Sequence, residues 1–333
     1  MIRRLLIVGL GSVGMRHLLL ARKLLPQADI RILRHKFSRD LPGEANGAFF
    51  DLSDALEFSP DAAVIANPAT LHLEAASALM HIGCHLLIEK PLSSNSASIK
   101  FFLKSVKTNG NVVLVGYNLR FLEALSYFKK IIDSGKVGKV LSVRSEVGHH
   151  LPSWRPESDY RQGVSAQKNL GGGVLLELSH ELDYLRWIFG EITWVSSWVG
   201  QLSDLEIDVE DTAKLILGIG SLEPILCSLN LDFVRHDPVR SCTVIGSLGS
   251  IRWNGLSGTI ELWSIESSAW ELVFSADSDV EKSYYREWEH FLECLENNTD
   301  PLITLADGAA TVSVVEAAKK SSANLGSRVF VNG

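Results

Sequence analysis

The segment Leu5-Leu6-Ile7-Val8-Gly9-Leu10-Gly11-Ser12-Val13-Gly14 decides the fold of this chain. Its first four residues are apolar, and its last six follow the pattern GxGxxG. Apolar residues then recur at helical spacing as far as residue 25. A GxGxxG turn between a buried strand and a helix is typical of domains that bind a dinucleotide. The segment therefore predicts a strand, a phosphate-binding turn and a helix.

Each glycine of this turn has a separate predicted role. Gly9 permits the tight turn, Gly11 lets the backbone approach a pyrophosphate, and Gly14 lets the helix pack closely on the strand. Ser12 and Val13 add N–H groups of the first helical turn, which lie at the positive end of the helix dipole. The alternative is a glycine-rich turn that has only a structural role.

The alternation of strand and helix continues through residue 120. Strands are predicted at residues 5–8, 30–33, 62–66, 86–88 and 112–115, and helices include 13–25 and 71–81. These strands lack apolar–polar alternation, which is typical of parallel strands covered on both faces. We therefore predict an α/β fold with a doubly wound parallel sheet, a Rossmann domain, for residues 1–120.

The pattern changes after Gly116. Helices are predicted at 121–134, 174–189, 284–297 and 306–322, and strands at 140–147, 195–199, 212–217, 225–231, 241–245, 250–253 and 259–263. Alternating strands joined by short turns are typical of antiparallel sheets. Residues 121–333 are therefore predicted to form an α+β domain with a large, open, mostly antiparallel sheet.

Composition limits the classes of function. A chain of 333 residues suits about two domains, and its net charge of −7 argues against a nucleic-acid partner. The four cysteines form no CxxC pair, so we expect no metal cage, no disulfide framework and a cytoplasmic location. Glycines 9, 11 and 14 interrupt the first apolar stretch, so we expect neither a signal peptide nor a membrane partner.

The end of the second strand bears on the choice of cofactor. An acid about 20 residues after the glycine turn binds the ribose hydroxyls of NAD. This chain has Arg34 there, followed by His35 and Lys36. Arg34 and His35 are therefore candidate ligands of a 2′-phosphate, which favours NADP within an NAD(P) assignment. A solvated basic turn is the alternative.

Two loops at the carboxyl edge of the predicted sheet carry further candidates. Glu89-Lys90-Pro91 follows the strand at 86–88, and Asn67-Pro68 follows the strand at 62–66 and leads to His72. Ligands of such sheets gather at this edge. We therefore assign Asn67, Pro68, His72, Glu89 and Lys90 to cofactor binding. An ordinary surface lysine is the alternative for Lys90.

Three ionisable residues share one face of the predicted helix at 174–189. Glu177 and Asp183 each lie three residues from His180, which places an acid on either side of the imidazole. A carboxylate can orient a histidine that accepts a proton from a hydroxyl. We therefore name Glu177, His180 and Asp183 as catalytic candidates, with a structural ion network as the alternative.

In order along the chain, these motifs resemble the Gfo/Idh/MocA oxidoreductases over nearly the whole length. The resemblance rests on Gly9–Gly14, Asn67-Pro68 with His72, Glu89-Lys90-Pro91, Gly116-Tyr117-Asn118 with Arg120-Phe121, Gly171–Gly173 and His180-Glu181-Leu182-Asp183. It implies a second domain that binds substrate and forms a homodimer or homotetramer through its open sheet.

The resemblance also implies an activity. Lys90 would bind the reacting hydroxyl, His180 would be the general base, and Asn118 and Arg120 would bind substrate. The substrate would be a sugar, a cyclitol or a nucleotide sugar. Many members have an aspartate four residues before this histidine, where this chain has Leu176, so Glu177 is a possible replacement.

A polar loop at 148–170 precedes the glycine triplet. Trp154, Arg155, Tyr160 and Arg161 are candidate substrate ligands, because aromatic faces suit sugars and arginines suit phosphate. That combination fits a nucleotide sugar. Packing of the loop into a neighbouring subunit explains the same residue types.

The leading hypothesis is an NAD(P)-dependent dehydrogenase that acts on a ring hydroxyl or ketone. One alternative is a glycoside hydrolase that uses transient oxidation with a retained cofactor. The other is a non-catalytic regulator that senses NAD(P) or a sugar, although the presence of both Lys90 and His180 argues against it.

Overall fold

A computed structural model describes residues 2–34, 41–105, 110–221, 223–276 and 280–331. The chain divides into two compact units, Met1–Tyr117 with Tyr285–Val312 and Asn118–Tyr284 with Ser313–Gly333. The predicted boundary after residue 120 lies three residues from the observed one. The predicted extent of the second domain differs, because residues 285–312 belong to the first unit. Trp288 explains this difference, since its buried indole N–H donates to His17 of that unit.

The sheet of the first unit consists of six parallel strands in the order β3-β2-β1-β4-β5-β6. These strands are β1 (Arg4–Val8), β2 (Asp29–Leu33), β3 (Gly47–Phe49), β4 (Ala62–Ile65), β5 (His85–Glu89) and β6 (Val113–Gly116). All five strands predicted for this half are present. The short strand β3 was missed, because Gly-Ala-Phe carries no periodic pattern.

Helices connect these strands and cover the sheet. They are α1 (Ser12–Leu24), α2 (Leu52–Glu57), α3 (His72–His81) and α4 (Ser96–Ser105). Most strand residues are buried on both sheet faces, as the absence of alternation predicted. Because β1, β4 and β5 run parallel, the loops that follow them leave the sheet at the same, carboxyl edge.

The sheet of the second unit has nine strands in the order β14-β13-β12-β11-β7-β10-β9-β8-β15. They are β7 (Val140–Gly148), β8 (Ile192–Gly200), β9 (Thr212–Ile219), β10 (Ile225–Asp232), β11 (Val239–Gly246), β12 (Gly249–Asn254), β13 (Thr259–Ser264), β14 (Trp270–Ser275) and β15 (Val329–Phe330). Strands β7 and β10 pair in parallel, and the other neighbours pair antiparallel. The predicted fold class is confirmed.

The remaining α-helices are α5 (Glu123–Asp133), α6 (Val174–Glu177), α7 (His180–Phe189), α8 (Val280–Asn297) and α9 (Leu305–Ala323). The single helix predicted at 174–189 is therefore two helices, because Leu178 and Ser179 form a turn. Short 3₁₀ turns occupy Asn118–Phe121, Leu151–Trp154, Tyr160–Gln162, Val164–Ala166 and Lys168–Leu170.

One face of the nine-stranded sheet forms the core of the second unit. Leu182 and Leu185 of α7 and Phe128 of α5 pack in one buried cluster with Leu215 and Cys227 of the strands. All four cysteines of the chain are buried and free. None of the described helices is long and apolar enough to cross a bilayer.

Candidate active site

The glycine turn after β1 brings two backbone segments into close approach. Gly9 has φ of +89°, and a Cβ there would lie 2.6 Å from the backbone nitrogen of Asn67. A Cβ on Gly14 would lie 2.1 Å from the Gly9 carbonyl oxygen. Around Gly11, in contrast, a Cβ would meet no atom within 4 Å. Gly9 and Gly14 are therefore required by the fold, and the space beside Gly11 is open to a ligand.

The N-terminus of α1 leaves its first N–H groups open to an anion. Gly11 is the N-cap residue and supplies no capping side chain, and no acid lies in the first turn, which begins with Ser12 and Val13. Unsatisfied N–H groups and the helix dipole favour a phosphate at such an end. The residues of this turn thus fit the pyrophosphate of a dinucleotide.

Arg34 follows β2 directly. Its backbone N–H donates to the Phe49 carbonyl at 3.1 Å, and its guanidinium lies 5.7 Å from the centroid of the Phe50 ring. The other cation proposed for a 2′-phosphate, His35, lies outside the described residues.

His72 joins the loop after β4 to the loop after β5. Its Nε2 lies 2.7 Å from the Asn67 carbonyl oxygen, and its Nδ1 lies 3.0 Å from the Pro91 carbonyl oxygen. Burial lowers the pKa of His72, although both carbonyls and Glu89 oppose this effect. A neutral ring donates to one carbonyl at a time, so the ring links Asn67 and its neighbour Pro68 to the segment that carries Lys90.

The buried Glu89 carboxylate, at the end of β5, accepts hydrogen bonds on both oxygens. His17 Nε2 lies 2.8 Å from Oε1, and the backbone N–H of Lys90 donates to Oε2 at 3.1 Å. A Cβ on Gly116, opposite Glu89 in β6, would lie 3.3 Å from the carboxyl carbon. Glu89 is therefore buried at the carboxyl edge of the sheet, where its carboxylate binds the backbone N–H of Lys90.

Sequence reasoning missed three residues around Glu89. His17 comes from α1, and Glu287 and Trp288 come from α8, about two hundred residues further along the chain than Glu89. One signal for Glu287 is present in the sequence, because it lies in the helical row that also contains Tyr284, Trp288 and Phe291. An acid on an apolar helix face is the exception that marks a buried polar site.

The glycine triplet shapes the entry to α6 in the second unit. Gly173 has φ of +104°, and a Cβ there would lie 2.6 Å from the Glu210 carboxylate. A Cβ on Gly172 would lie 2.3 Å from the Val164 carbonyl oxygen. The triplet thus lets this segment pack against the preceding loop just before the catalytic candidates.

The three catalytic candidates of the second unit lie on two successive helices, Glu177 on α6 and the other two on α7. Glu177 ends α6, and its Oε2 accepts a hydrogen bond from Ser165 Oγ at 2.9 Å. His180 is buried at the first turn of α7. Asp183 lies on α7, and its two oxygens accept from Arg120 Nε and Nη2 at 2.8 and 2.7 Å.

Two substrate candidates lie in the 3₁₀ turn that opens the second unit. Arg120 is buried, forms the bidentate pair with Asp183 and lies over the Trp187 ring at 5.8 Å. Asn118 is also buried and donates to Ser283 Oγ at 2.7 Å. A buried pair of this kind fixes the geometry of both side chains.

The loop at 149–170 presents the other substrate candidates. Trp154 donates to the His149 carbonyl at 3.0 Å and stands edge-on to Phe233 at 5.2 Å. Tyr160 accepts from the Glu206 N–H at 3.2 Å. Arg155 is exposed, whereas Arg161 pairs with Asp159 and Glu206 at 2.8 and 2.9 Å.

Comparison with known proteins identifies the family. Residues 3–117 match a model described as an oxidoreductase family with an NAD-binding Rossmann fold, and residues 125–252 match the GFO/IDH/MocA C-terminal domain. The two matches cover well over half of the chain. The chain belongs to the Gfo/Idh/MocA family. The resemblance inferred from its motifs is confirmed, and this Gfo/Idh/MocA protein is an NAD-binding oxidoreductase.

Three similar proteins match this chain over most of its length. The scyllo-inositol 2-dehydrogenase (NAD(+)) of Bacillus subtilis (strain 168) is 26% identical over 272 residues, 79% of this chain and 76% of the relative. The myo-inositol 2-dehydrogenase of Thermotoga maritima is 26% identical over 96% of both chains. A solved levoglucosan dehydrogenase in complex with NADH and levoglucosan has a TM-score of 0.85 over 99% of both chains, at 20% identity, and shares the Gfo/Idh/MocA fold.

Substitution of two glycines distinguishes the role of the turn in folding from its role in NADH binding. Gly14→Ala places a methyl group against the Gly9 carbonyl, so we expect a loss of about 3 kcal/mol in the free energy of unfolding. Gly11→Ala enters open space, so its stability should change by less than about 0.5 kcal/mol, while NADH binding weakens. Urea unfolding and NADH fluorescence titration measure the two effects. Unchanged NADH affinity in Gly11→Ala would show that the pyrophosphate binds elsewhere.

Proposed function

We propose that this protein transfers a hydride between NAD(P) and a ring hydroxyl or ketone of a sugar, a cyclitol or a nucleotide sugar. The observation that carries the proposal is the shared edge of one parallel sheet, where the open glycine turn and Lys90 both follow strand ends. The names of the relatives, two inositol dehydrogenases and a levoglucosan dehydrogenase, support the substrate class.

The cofactor side of the proposal uses the first unit. Ser12, Val13 and the three glycines would hold the pyrophosphate, and Asn67, His72 and Glu89 would shape the edge beside it. The bound nicotinamide supplies the acceptor or donor of the hydride. Lys90 would bind the reacting oxygen, because an ammonium stabilises the developing alkoxide.

The proton side uses the second unit. His180 would accept the hydroxyl proton as general base. Glu177 and Asp183 would support it, and the contacts with Ser165 and Arg120 give these two acids fixed positions. Asn118 and Arg120, with Trp154, Arg155, Tyr160 and Arg161 of the loop, would bind the ring and any nucleotide attached to it.

Substitution of the two proton-handling residues tests the assignment. Lys90→Met and His180→Ala should each lower kcat by about 10²–10⁴-fold, because Lys90 would bind the reacting oxygen and His180 would receive the proton. NADH affinity should stay near the wild-type value. A screen of inositols, levoglucosan and nucleotide sugars by nicotinamide absorbance provides the substrate. Lys100→Met, an exposed change on α4, is the control. Full turnover in both site variants would refute these roles.

We propose that Arg34 gives the protein a preference for NADP over NAD. The proposal is supported by the cation at the position where NAD-binding domains carry an acid, immediately after β2. The preference goes beyond what the named relatives support, since they include an NAD(+) enzyme and an NADH complex.

Cofactor titration tests this preference. Arg34→Ala should weaken NADPH binding by about tenfold or more, because it removes a charge-assisted hydrogen bond, and should leave NADH binding unchanged. Arg155→Ala serves as a control, since Arg155 belongs to the second unit. Tighter binding of NADH than of NADPH in the wild type, unaltered by Arg34→Ala, would reject the preference.

We also propose that the protein is a homodimer or homotetramer through the open face of the nine-stranded sheet. Trp198, Ile216 and Leu226 lie on three neighbouring strands and are about half exposed. Apolar side chains grouped on a sheet face mark an interaction surface.

Size-exclusion chromatography with light scattering tests the assembly. Ile216→Glu should shift the wild-type oligomer toward the monomer, because it buries a charge at the proposed interface. Phe101→Glu, on an exposed apolar side chain of α4, should leave the mass unchanged. A monomeric wild type would exclude this interface.

A further inference from the structure

Four side chains at the end of β5 form what we term the Glu89 cluster: His17, Glu89, Glu287 and Trp288. All four are buried. One nitrogen of His17 and one oxygen of each glutamate lie within 4.8 Å of one another. The cluster lies within the first unit and touches Lys90 through its backbone.

Trp288 fixes the direction of the hydrogen bonds. An indole N–H is only a donor, and Trp288 Nε1 lies 2.9 Å from His17 Nδ1. Nδ1 is therefore the acceptor, and the neutral ring carries its proton on Nε2. The Nε2–H group therefore donates a hydrogen bond to Glu89 Oε1, 2.8 Å away. Glu89 must then be the acceptor, as the N–H of Lys90 on its second oxygen also requires.

The same direction argues against a metal ion at this cluster. A neutral histidine that binds a metal through Nε2 carries its proton on Nδ1 and donates it to a neighbour. The Trp288 N–H points at Nδ1 and excludes that tautomer. A metal would therefore have to displace the indole or take the imidazole as an anion.

Glu287 holds the remaining proton of the cluster. Its side chain is fully buried, and neither of its oxygens accepts a hydrogen bond from a donor among the described residues. Burial raises the pKa of Glu287 well above the usual carboxyl range, and the charge of Glu89 adds to the rise. Two ionised carboxylates this close would be unfavourable, so Glu287 is neutral beside the Glu89 carboxylate.

We propose that the protonated carboxyl group of Glu287 donates a hydrogen bond to the Glu89 carboxylate and, together with His17, acts as a positioning residue for Lys90. The inference rests on the proposed role of Lys90 in catalysis. Glu89 meets Lys90 at the backbone N–H, so a carboxylate held by three donors fixes the point from which the Lys90 side chain extends. Loss of one donor would let the carboxylate rotate and release that backbone.

Two spectroscopic measurements test the cluster without reference to turnover. The infrared difference spectrum of wild type minus Glu287→Gln at neutral pH should contain the carbonyl band of a protonated carboxylic acid. The ¹⁵N shifts of His17, assigned with His17→Gln, should report the Nε2–H tautomer. A carboxylate band in place of the acid band, or the Nδ1–H tautomer, would overturn the proposal.

Amide exchange at Lys90 tests the positioning itself. Glu287→Leu removes the donor and keeps the site apolar, so exchange of the Lys90 N–H should accelerate about tenfold or more. Glu287→Gln keeps a neutral donor and should restore wild-type exchange. Glu289→Leu, an exposed change on the same helix, is the matched control. Equal protection of Lys90 in wild type and Glu287→Leu would overturn the proposal.

Kinetics then connect the cluster to Lys90. Glu287→Leu should lower kcat by about 10–100-fold, with NADH affinity unchanged and with rescue by Glu287→Gln. It should cause no further loss in a Lys90→Met background, because it acts through that residue. Additive losses would show a merely structural role and refute the inference. Full turnover in Lys90→Met would instead reject the proposed function, while the spectra and amide exchange still decide the state of the cluster.

Two further variants complete the test. If Glu287→Leu does not fold, Trp288→Phe removes the indole donor and fills most of the same volume. It should free Nδ1, change the His17 tautomer populations and accelerate exchange at Lys90. Zn²⁺ titration tests the alternative that the Glu89 cluster binds a metal ion. Zn²⁺ that binds the wild type and fails to bind Glu287→Gln would overturn the hydrogen-bonded cluster.

Discussion

The close approach of Gly9 to Asn67 is the constraint on which the edge of the first sheet depends. A turn without side chains lets the backbone after β1 lie against the backbone after β4, and Gly14 brings α1 down onto the same turn. His72 then ties Asn67 to Pro91. A contact between main chains thereby determines where α1 begins and where the segment with Lys90 lies.

Each unit also contains a buried carboxylate whose two oxygens accept hydrogen bonds from fixed donors. Glu89 accepts from an imidazole and a backbone amide, and Asp183 accepts from the two nitrogens of Arg120. A buried charge is tolerated only with such partners, so its position is defined far more sharply than that of a surface acid. In both units this polar group lies beside a residue that we assign to proton transfer.

The sequence predicted the parts of the fold that have a strong local pattern. The glycine turn, the five long parallel strands and most strands of the second sheet follow from apolar runs and turn residues. Strand β14 was missed because it lies at the edge of its sheet with mostly exposed side chains, which removes the alternation that burial produces. The break between α6 and α7 was missed because Leu178 and Ser179 fit the helical pattern on either side.

The sites were predictable only in part, for a related reason. Glycines and strand ends indicate where a ligand binds, but a single sequence does not say which distant side chains meet. The pairing of Arg120 with Asp183 and the approach of Glu287 to Glu89 are set by tertiary packing. Glu177 likewise contacts Ser165 of the preceding loop, although its spacing from His180 had suggested a helical partner.

The parallel pairing of β7 and β10 has a consequence for the loop that we propose binds substrate. Both strands end at the same edge of the sheet, so His149 and Phe233 follow them side by side. The Trp154 indole donates a hydrogen bond to the His149 carbonyl and stands edge-on to the Phe233 ring. The base of the loop is thus clamped independently of its tip. Residues beyond Trp154 can therefore change without loss of the contacts that hold Trp154 itself.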